Sequence, residues 1–237
     1  MHGGGKQLND LAAQMGVEQT IINGRRVTDA GTLEMAMMVF AGKINTEILA
    51  ALRNRGVDTV GLSGVDGGIV QAARRPVREV MNQATGLSEQ VDFGFVGDVM
   101  KIDDRLLRVL LNEHYLPVVS SLGADVEGTV FNINADTIAA EIAVSLEAEK
   151  LIMMSDVDGI RLRHDDAATK LSRLTAAEAE ALISDGIASG GMIPKLQSIG
   201  ELLKRGVRSA HIINGTRRNA LLSEIFTDEG TGTMIVA

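Results

Sequence analysis

Two glycine-rich runs in this sequence each stand at the start of a helical pattern. HGGG at residues 2–5 precedes apolar spacing typical of a helix at 8–15, and GGMIPK at 190–195 ends in Lys195. A glycine-rich turn at a helix start presents unpaired backbone N–H groups to an anion, and the helix dipole adds positive charge there. Taken singly, the first run is also typical of a tight connection and Lys195 of an exposed lysine. Both runs nevertheless fit phosphate chemistry.

Two polar runs indicate contacts to a small ligand. NINADT at 132–137 places three short polar residues at alternating positions before a helix, where an N-cap needs only one or two. NGRRVTD at 23–29 offers a guanidinium beside a turn. Such a guanidinium either clamps a carboxylate with two hydrogen bonds or forms a surface salt bridge.

Several other chemistries are excluded. The chain has no cysteine, and its four histidines lie far apart in the sequence without metal-ligand spacing, so we predict no dedicated metal site. DFG at 92–94 lacks the catalytic loop that accompanies it in protein kinases. GGGK at 3–6 lacks the spaced glycine of a P-loop. Phosphate, carboxylate and amine chemistry remain.

The composition argues against nucleic-acid and membrane partners. With 31 acidic against 23 basic residues the net charge is −8, whereas affinity for a phosphate backbone needs clustered Lys and Arg. We see no apolar run that approaches the roughly 18 residues of a membrane span, and no secretory signal at the N-terminus. We therefore expect a cytoplasmic protein.

The elements that must position these residues alternate along the chain. Strand patterns fall at 59–62, 116–120, 151–154 and 210–213, and helical patterns at 33–53, 105–114, 137–146, 176–184 and 194–205. This alternation predicts an α/β fold with a mainly parallel sheet. The glycine-rich segments 67–103 and 125–134 predict hairpins instead of further crossovers. We place a boundary between two units at 148/149, where a strand opens the second unit.

The order of the motifs closely resembles the acetylglutamate kinase branch of the amino acid kinase family. The resemblance runs over the whole chain and rests on eleven runs: HGGG (2–5), NGRRVTD (23–29), AGKIN (41–45), GLSGVDGG (61–68), DFGFVGDV (92–99), PVVSSLG (117–123), NINADT (132–137), SDVDGI (155–160), GGMIPK (190–195), HIING (211–215) and EIFTDEGTGTMI (224–235). The pairing of NGRRVTD with NINADT looks like the acetylglutamate enzymes more than the relatives that phosphorylate a carrier-bound aminoadipate. Aspartokinase, carbamate kinase and uridylate kinase share less of it.

The resemblance implies an architecture and an activity. The fold would be a three-layer αβα sandwich, with an N-terminal lobe (1–148) for acetylglutamate binding and dimerisation and a C-terminal lobe (149–237) for ATP. The reaction would transfer the γ-phosphate of ATP, with Mg²⁺, to the side-chain carboxylate of N-acetyl-L-glutamate in arginine biosynthesis. A homodimer or higher homo-oligomer is expected, for which the Met-rich helix at 33–53 is the candidate interface; plain core packing is the alternative.

For the acceptor, the resemblance implies four residues. Gly4 and Gly5 would give backbone N–H groups to the transferring phosphoryl group. Arg26 and Asn132 would hold the α-carboxylate of acetylglutamate.

For catalysis and the nucleotide, the resemblance implies five residues. Lys195 would bridge the phosphoryl group as charge builds on its oxygens, and Asp136 would orient the catalytic lysines. Three residues would sit along the nucleotide: Ser155, Asp156 and Asn214.

The sequence departs from the family pattern in two places. The family begins with a strand ending in Lys-x-Gly-Gly, a helix, and a second strand, which this chain lacks before His2. We therefore expect an N-terminally truncated fold without the lysine that contacts the β- and γ-phosphates, and, for residues 1–237 alone, aggregation or a loosened N-terminal lobe without catalysis. Asn214 also stands where relatives often have Asp. The alternatives are a truncated, inactive homologue that binds ligands or partners, and a family member acting on another carboxylate such as carrier-bound aminoadipate.

Overall fold

The computed structural model describes residues 1–22, 25–81, 88–163, 166–188, 192–227 and 230–237. The chain divides into two compact units, Met1–Ile138 and Ala139–Ala237. This division falls inside a helix, ten residues before the strand-based boundary expected at 148/149.

The first unit contains five helices and ten strands among its described residues. In chain order they are α1 (Gly5–Gln14), β1 (Ile21–Ile22), β2 (Arg25–Arg26), α2 (Ala30–Met37), α3 (Asn45–Arg53), β3 (Thr59–Ser63), β4 (Val70–Arg74), β5 (Arg78–Met81), β6 (Ser88–Val91), β7 (Gly97–Ile102), α4 (Arg105–Asn112), β8 (Leu116–Ser120), β9 (Leu122–Ala124), β10 (Val130–Asn132) and α5 (Ala135–Ser145). The last helix continues into the second unit. A π-helical segment, Met38–Ile44, joins α2 to α3.

The second unit adds three helices and six strands in the part of the chain that is described. They are β11 (Lys150–Ser155), β12 (Ile160–Arg161), β13 (Lys170–Leu171), β14 (Arg173–Thr175), α6 (Ala176–Ser184), α7 (Met192–Lys204), β15 (Ser209–Asn214), α8 (Ala220–Phe226) and β16 (Thr233–Val236). Two short 3₁₀ turns, one in each unit, lie at Asp66–Gly68 and Ala167–Thr169.

A parallel strand pair in each unit ends beside some of the candidate site residues. In the first unit β3 pairs in parallel with β8, and His2 forms a further parallel bridge with Ser120 at the end of β8. In the second unit β11 pairs in parallel with β15, with Ser155 opposite Asn214. The glycine-rich segments instead form antiparallel pairs, β4 with β7, β5 with β6 and β9 with β10. The carboxyl ends of β3 and β8 therefore meet at Ser63 and Ser120, and those of β11 and β15 meet at Ser155 and Asn214.

The helical stretch Ala30–Arg53 is apolar enough, by length and composition only, to cross a membrane. The expectation of no such run is thus wrong for this stretch, because a helix tolerates a few polar residues that interrupt a continuous run. Its apolar side chains pack into a core cluster with Leu8 of α1 and Leu122 of β9, and Val39 and Phe40 are buried there. Of its most apolar stretch 33% is buried inside the protein, and one such helix is weak evidence for a membrane span.

The core of the second unit lies between its sheet and the helices α6 and α7. Ile199 of α7, Ile212 of β15 and Ile235 of β16 are fully buried within one cluster. Thr175 caps α6 by accepting from the backbone N–H of Glu178, whose carboxylate accepts in return from the backbone of Thr175. This reciprocal cap fixes the start of the helix.

Candidate active site

The glycine turn at residues 2–5 lies between strand β8 and the start of α1. The backbone N–H of His2 donates to Val119 of β8 at 3.0 Å, and the carbonyl of Gly4 accepts from Leu8 in the first turn of α1. A Cβ atom on Gly4 would come within 2.3 Å of Ile44 Cδ1 and 2.7 Å of Phe40 Cδ1. Position 4 therefore requires glycine, because the turn packs so closely against the apolar side chains of the π-helical segment that no Cβ atom fits.

Gly5 has a different reason to be glycine. It is the first residue of α1, and a Cβ atom added there would meet no atom of the described residues within 4 Å, apart from its own neighbours and the helix backbone. Internal packing therefore does not require its small size. Open space above the N-terminus of a helix is where an anion approaches backbone N–H groups.

The Arg26 guanidinium lies beside this turn. Its Nη2 donates to Asn9 Oδ1 of α1 at 2.6 Å and to the carbonyl oxygen of Gly5 at 3.3 Å. Its Nη1 donates to Oε1 of Gln19. Partial burial lowers the pKa of Arg26 from its usual value, and an arginine remains protonated at neutral pH all the same. Three partners therefore fix a positive charge next to Gly5.

Asn132 stands at the end of β10 and is joined to the Arg26 region through Thr28. Its Nδ2 donates to Thr28 Oγ1 at 3.1 Å, while Thr28, two residues after Arg26, is fully buried. Asn134, not Asn132, supplies the N-terminal cap of α5, since Asn134 Oδ1 accepts from the backbone of Thr137 at 3.0 Å. The capping role that competes with ligand binding is therefore assigned to Asn134. Asp136 is half-buried in the first turn of α5.

A cavity of about 430 Å³ lies in the second unit, at the carboxyl end of β11. Its lining includes Ser155, Asp156, Asp158, Gly159, Met192 and Lys195. Crevices beyond the carboxyl ends of parallel strands are the usual ligand sites of α/β sheets, and this volume is in the range of small-molecule pockets. The cavity brings Lys195, at the positive end of α7, together with Ser155 and Asp156.

Asp158 organises one wall of this cavity. It accepts from Asn214 Nδ2 and from Arg217 Nε, each at 2.9 Å, and from Arg161 Nη2 at 3.2 Å. The hydrogen bond from Asn214 lowers the pKa of Asp158, and the neighbouring arginines act in the same direction. Asn214 thus reaches the cavity through Asp158, although it is not itself in the lining.

Comparison with known proteins shows which family this chain belongs to. A family model described as "Amino acid kinase family" matches residues 1–214. The chain is 47% identical to the acetylglutamate kinase of Symbiobacterium thermophilum over 236 residues, which cover all of this chain and 79% of that protein. It is 45% identical to the acetylglutamate kinase of Methanocaldococcus jannaschii over 235 residues, covering 99% and 78%. This chain belongs to the amino acid kinase family.

Solved structures show the same fold. N-acetylglutamate synthase from Neisseria gonorrhoeae, complexed with coenzyme A and N-acetyl-glutamate, superposes with a TM-score of 0.82 at 33% identity. The match covers all of this chain, which spans about half (51%) of that synthase. An isopentenyl phosphate kinase superposes with a TM-score of 0.63 at 20% identity and covers 99% of this chain and 82% of that one. The predicted α/β fold, an amino acid kinase-like three-layer sandwich, is confirmed.

Within the family fold, each unit assembles part of the predicted site. In the first unit Gly4, Gly5 and Arg26 are adjacent, and Asn132 is linked to them through Thr28. In the second unit Ser155, Asp156 and Lys195 line one cavity. The individual roles of these residues, and that of Asp136, remain predictions.

The role of Asp158 and the two side-chain partners of Arg26 were not predicted from the sequence. Asp158 belongs to the quoted run SDVDGI but received no role, because its significance depends on Asn214, 56 residues away. Asn9 and Gln19 are ordinary polar residues in the sequence. In the described ranges, no group of three or more His, Asp or Glu side chains is arranged to hold a metal ion.

Proposed function

We propose that this chain transfers the γ-phosphoryl group of ATP to the side-chain carboxylate of N-acetyl-L-glutamate. The observation that carries the proposal is the position of Arg26, whose guanidinium lies against the Gly5 backbone at the start of α1. A carboxylate of the acceptor meets a fixed positive charge there, next to backbone N–H groups that suit a phosphoryl oxygen. Relatives with 40–47% identity over at least 99% of the chain are acetylglutamate kinases.

The acceptor needs no general base in this reaction. A carboxylate is already ionised at neutral pH, so phosphoryl transfer depends on positioning and on stabilising the charge that develops. Gly4 and Gly5 contribute backbone N–H groups, and Arg26 and Asn132 hold the α-carboxylate. Lys195 contributes a cation at the phosphoryl oxygens, where charge rises in the transition state.

The nucleotide occupies the cavity of the second unit. Ser155 and Asp156 line it, and Asn214 supports its wall through Asp158. ATP carries Mg²⁺, which neutralises charge on the phosphates and takes one or two protein carboxylates beside phosphate oxygens and water. Asp156, at the cavity wall, is a carboxylate of the kind such an ion uses. Asp136 has the role of orienting the catalytic lysines, the acceptor site belongs to the first unit and the ATP site belongs to the second.

The biological setting follows from the same proposal. The product is an acyl phosphate on acetylglutamate, an intermediate of arginine biosynthesis, and the enzyme acts in the cytoplasm. We expect a homodimer formed through Ala30–Arg53, where Met38 is 54% exposed while its neighbours Val39 and Phe40 are buried. An exposed methionine within an apolar helix is a suitable contact for a second copy.

The test is to trap the product. Residues 1–237, alone and preceded by the family's Lys-x-Gly-Gly strand and first helix, are each incubated with ATP, Mg²⁺, hydroxylamine and either N-acetyl-L-glutamate, glutamate or α-aminoadipate, and both ADP and hydroxamate are measured. An acyl phosphate gives hydroxamate in proportion to ADP, and the proposal expects this with N-acetyl-L-glutamate and at most a trace with the others. Equal turnover of aminoadipate, or ADP without hydroxamate, would contradict it.

A further inference from the structure

A buried asparagine connects the glycine turn to two strands. Asn45, the first residue of α3, is 3% exposed. Its Nδ2 donates to the carbonyl oxygens of Val118 in β8, at 2.9 Å, and Leu62 in β3, at 3.2 Å. The same Nδ2 lies 3.2 Å from Nε2 of His2. One amide therefore holds a parallel strand pair and contacts the first residue of the HGGG run.

The His2 ring links Asn45 to the glycine turn, since one ring nitrogen faces Asn45 and the other faces the Gly3 carbonyl. His2 Nδ1 lies 2.9 Å from the carbonyl oxygen of Gly3, and since a carbonyl only accepts, Nδ1 carries the proton. In the neutral ring Nε2 is then an acceptor that faces Asn45 Nδ2, and because Nδ2 has only two hydrogens for three acceptors, one N–H is shared between His2 and a strand carbonyl. Burial lowers the pKa of His2, in agreement with a neutral ring. The two contacts thus select one tautomer.

Fixing the Gly3 carbonyl also fixes the direction of the next N–H. The peptide bond between Gly3 and Gly4 is planar and trans, so the Gly3 carbonyl and the Gly4 N–H point to opposite sides of it. When His2 holds the carbonyl on its own side, the Gly4 N–H must point away from the ring. Gly4 has no side chain to restrict its backbone, so this direction has to be imposed from outside.

The π-helical segment explains how Asn45 reaches this position. Met38–Ile44 ends immediately before Asn45, and a π-helical turn shifts the phase of the residues after it. The segment places Ile44 and Phe40 under Gly4 and Asn45 against the strand pair. Gly61 of β3 leaves room for the Asn45 side chain, because a Cβ atom on Gly61 would come within 2.1 Å of Asn45 Oδ1.

We propose that His2 and Asn45 are positioning residues that aim the Gly4 N–H at the transferring phosphoryl group by holding the Gly3 carbonyl. The proposal deepens the kinase function proposed above and rests on it. Asn45 fixes the tautomer and orientation of the His2 ring, and His2 Nδ1–H fixes the Gly3–Gly4 peptide. Neither side chain needs to touch substrate.

Two substitutions of His2 separate the two contacts. His2→Asn keeps a donor near the position of Nδ1 and loses the contact with Asn45, while His2→Gln keeps an acceptor near the position of Nε2 and loses the donor to Gly3. We expect His2→Gln to lower kcat by about tenfold or more, a fraction of the 10²–10³ typical when a transition-state donor is removed outright. His2→Asn should lower kcat less, by about threefold, because the donor to Gly3 stays but Asn45 no longer orients it, and KM for ATP should change little in either variant.

The control and a second readout make the outcome decisive. His114→Asn, at an exposed histidine outside the site, should leave kcat unchanged. The backbone amide shift of Gly4 in an NMR spectrum should move in His2→Gln and stay near the parent value in His2→Asn, whatever the activity. Equal kcat in the two variants, or an unmoved Gly4 amide in His2→Gln, overturns the inference. Absence of acetylglutamate-dependent turnover in the parent overturns the proposed function instead, and the amide shift still tests the carbonyl contact.

Discussion

The Arg26 guanidinium donates to Asn9 Oδ1 at 2.6 Å, which joins strand β2 to the helix that starts at the glycine turn. Charge-assisted hydrogen bonds of this kind are stronger than neutral ones and fix direction. The geometry therefore holds the Arg26 cation against the glycine turn within a single unit of the protein.

Replacing Arg26 should weaken binding of one substrate only. Because a charge-assisted hydrogen bond contributes roughly 1.5–3 kcal/mol, Arg26→Ala should raise KM for acetylglutamate by about 10- to 100-fold and KM for ATP by less than about threefold. Steady-state kinetics with each substrate varied in turn measure this. Arg25→Ala, the adjacent arginine on β2, is the matched control and should change neither constant appreciably. Equal effects on both substrates would show that Arg26 does not bind the acceptor.

The partner of Arg26 should act through it. Asn9→Ala removes the 2.6 Å contact, and we expect a rise of about three- to tenfold in KM for acetylglutamate. In the Arg26→Ala background the same substitution should have little further effect, because residues in direct contact are not additive. A double-mutant cycle on KM measures the coupling, and full additivity would contradict the link between the two side chains.

Lys195 should affect the chemical step. A cation whose contact strengthens in the transition state lowers kcat when it is removed. In the form extended by the family's N-terminal Lys-x-Gly-Gly strand, Lys195→Ala should therefore reduce kcat by about 10² or more and leave KM for acetylglutamate nearly unchanged. Lys204→Ala is the control, since Lys204 lies on the same helix in an exposed ion pair with Glu201. Unchanged turnover in Lys195→Ala would remove this residue from the mechanism.

Local sequence signals predicted the elements well. The strand pattern at 116–120 coincides with β8, and the helical pattern at 176–184 coincides with α6, whose Thr175 and Glu178 form the reciprocal cap. Such features depend on neighbours in the chain. The helical pattern at 33–53 was predicted as one regular helix, whereas the structure places the π-helical segment Met38–Ile44 in its middle. Apolar spacing cannot distinguish a π-helical turn from an α-helical one over seven residues.

Contacts between residues far apart in the chain could not be predicted from the sequence. Asn45 appears in the run AGKIN without an assigned role, because its partners Leu62 and Val118 lie 17 and 73 residues away. Asp158 is comparable, since the parallel register of β11 and β15 brings Asn214 beside it. The types of site residue were therefore predictable from the sequence, while the residues that hold them in place depend on the tertiary fold.

Alanine substitutions at Gly4 and Gly5 should affect stability and activity differently. Gly4→Ala forces a Cβ atom into Ile44 and Phe40 and should lower the thermal midpoint, since such overpacking costs about 1–3 kcal/mol. Gly5→Ala meets no atom and should keep or slightly raise the midpoint, because alanine suits a helical position better than glycine. If Gly5 faces the phosphoryl group, its variant should nevertheless lose kcat by tenfold or more. Thermal unfolding and kcat are measured on both proteins, and a fully active Gly5→Ala would contradict the role of this residue.

Glu224 should make the stability of the second unit depend on pH. Its side chain is 5% exposed and accepts from His211 at 2.7 Å and from the backbone N–H groups of Thr231 and Gly232 at 2.6 and 2.9 Å. Burial by itself raises the pKa of Glu224, but the hydrogen bonds from His211, Thr231 and Gly232 outweigh it and leave the pKa below its usual value.

A carboxylate whose pKa is lower in the folded than in the unfolded state stabilises the fold above its unfolded pKa, near 4.5. That contribution is lost as pH falls through the folded pKa, because the folded state must then take up the proton it had excluded. Glu224→Gln removes the titrating group and leaves an amide whose NH₂ cannot accept from the loop at 231–232, so its thermal midpoint at pH 7 should lie below that of the parent. Between pH 7 and pH 3.5 the difference between the two midpoints should shrink, since only the parent loses the carboxylate. Glu201→Gln, at an exposed glutamate on α7, controls for the removal of one charge. A difference that stays constant or widens on acidification would show that Glu224 is not the ionised partner of His211 and the loop.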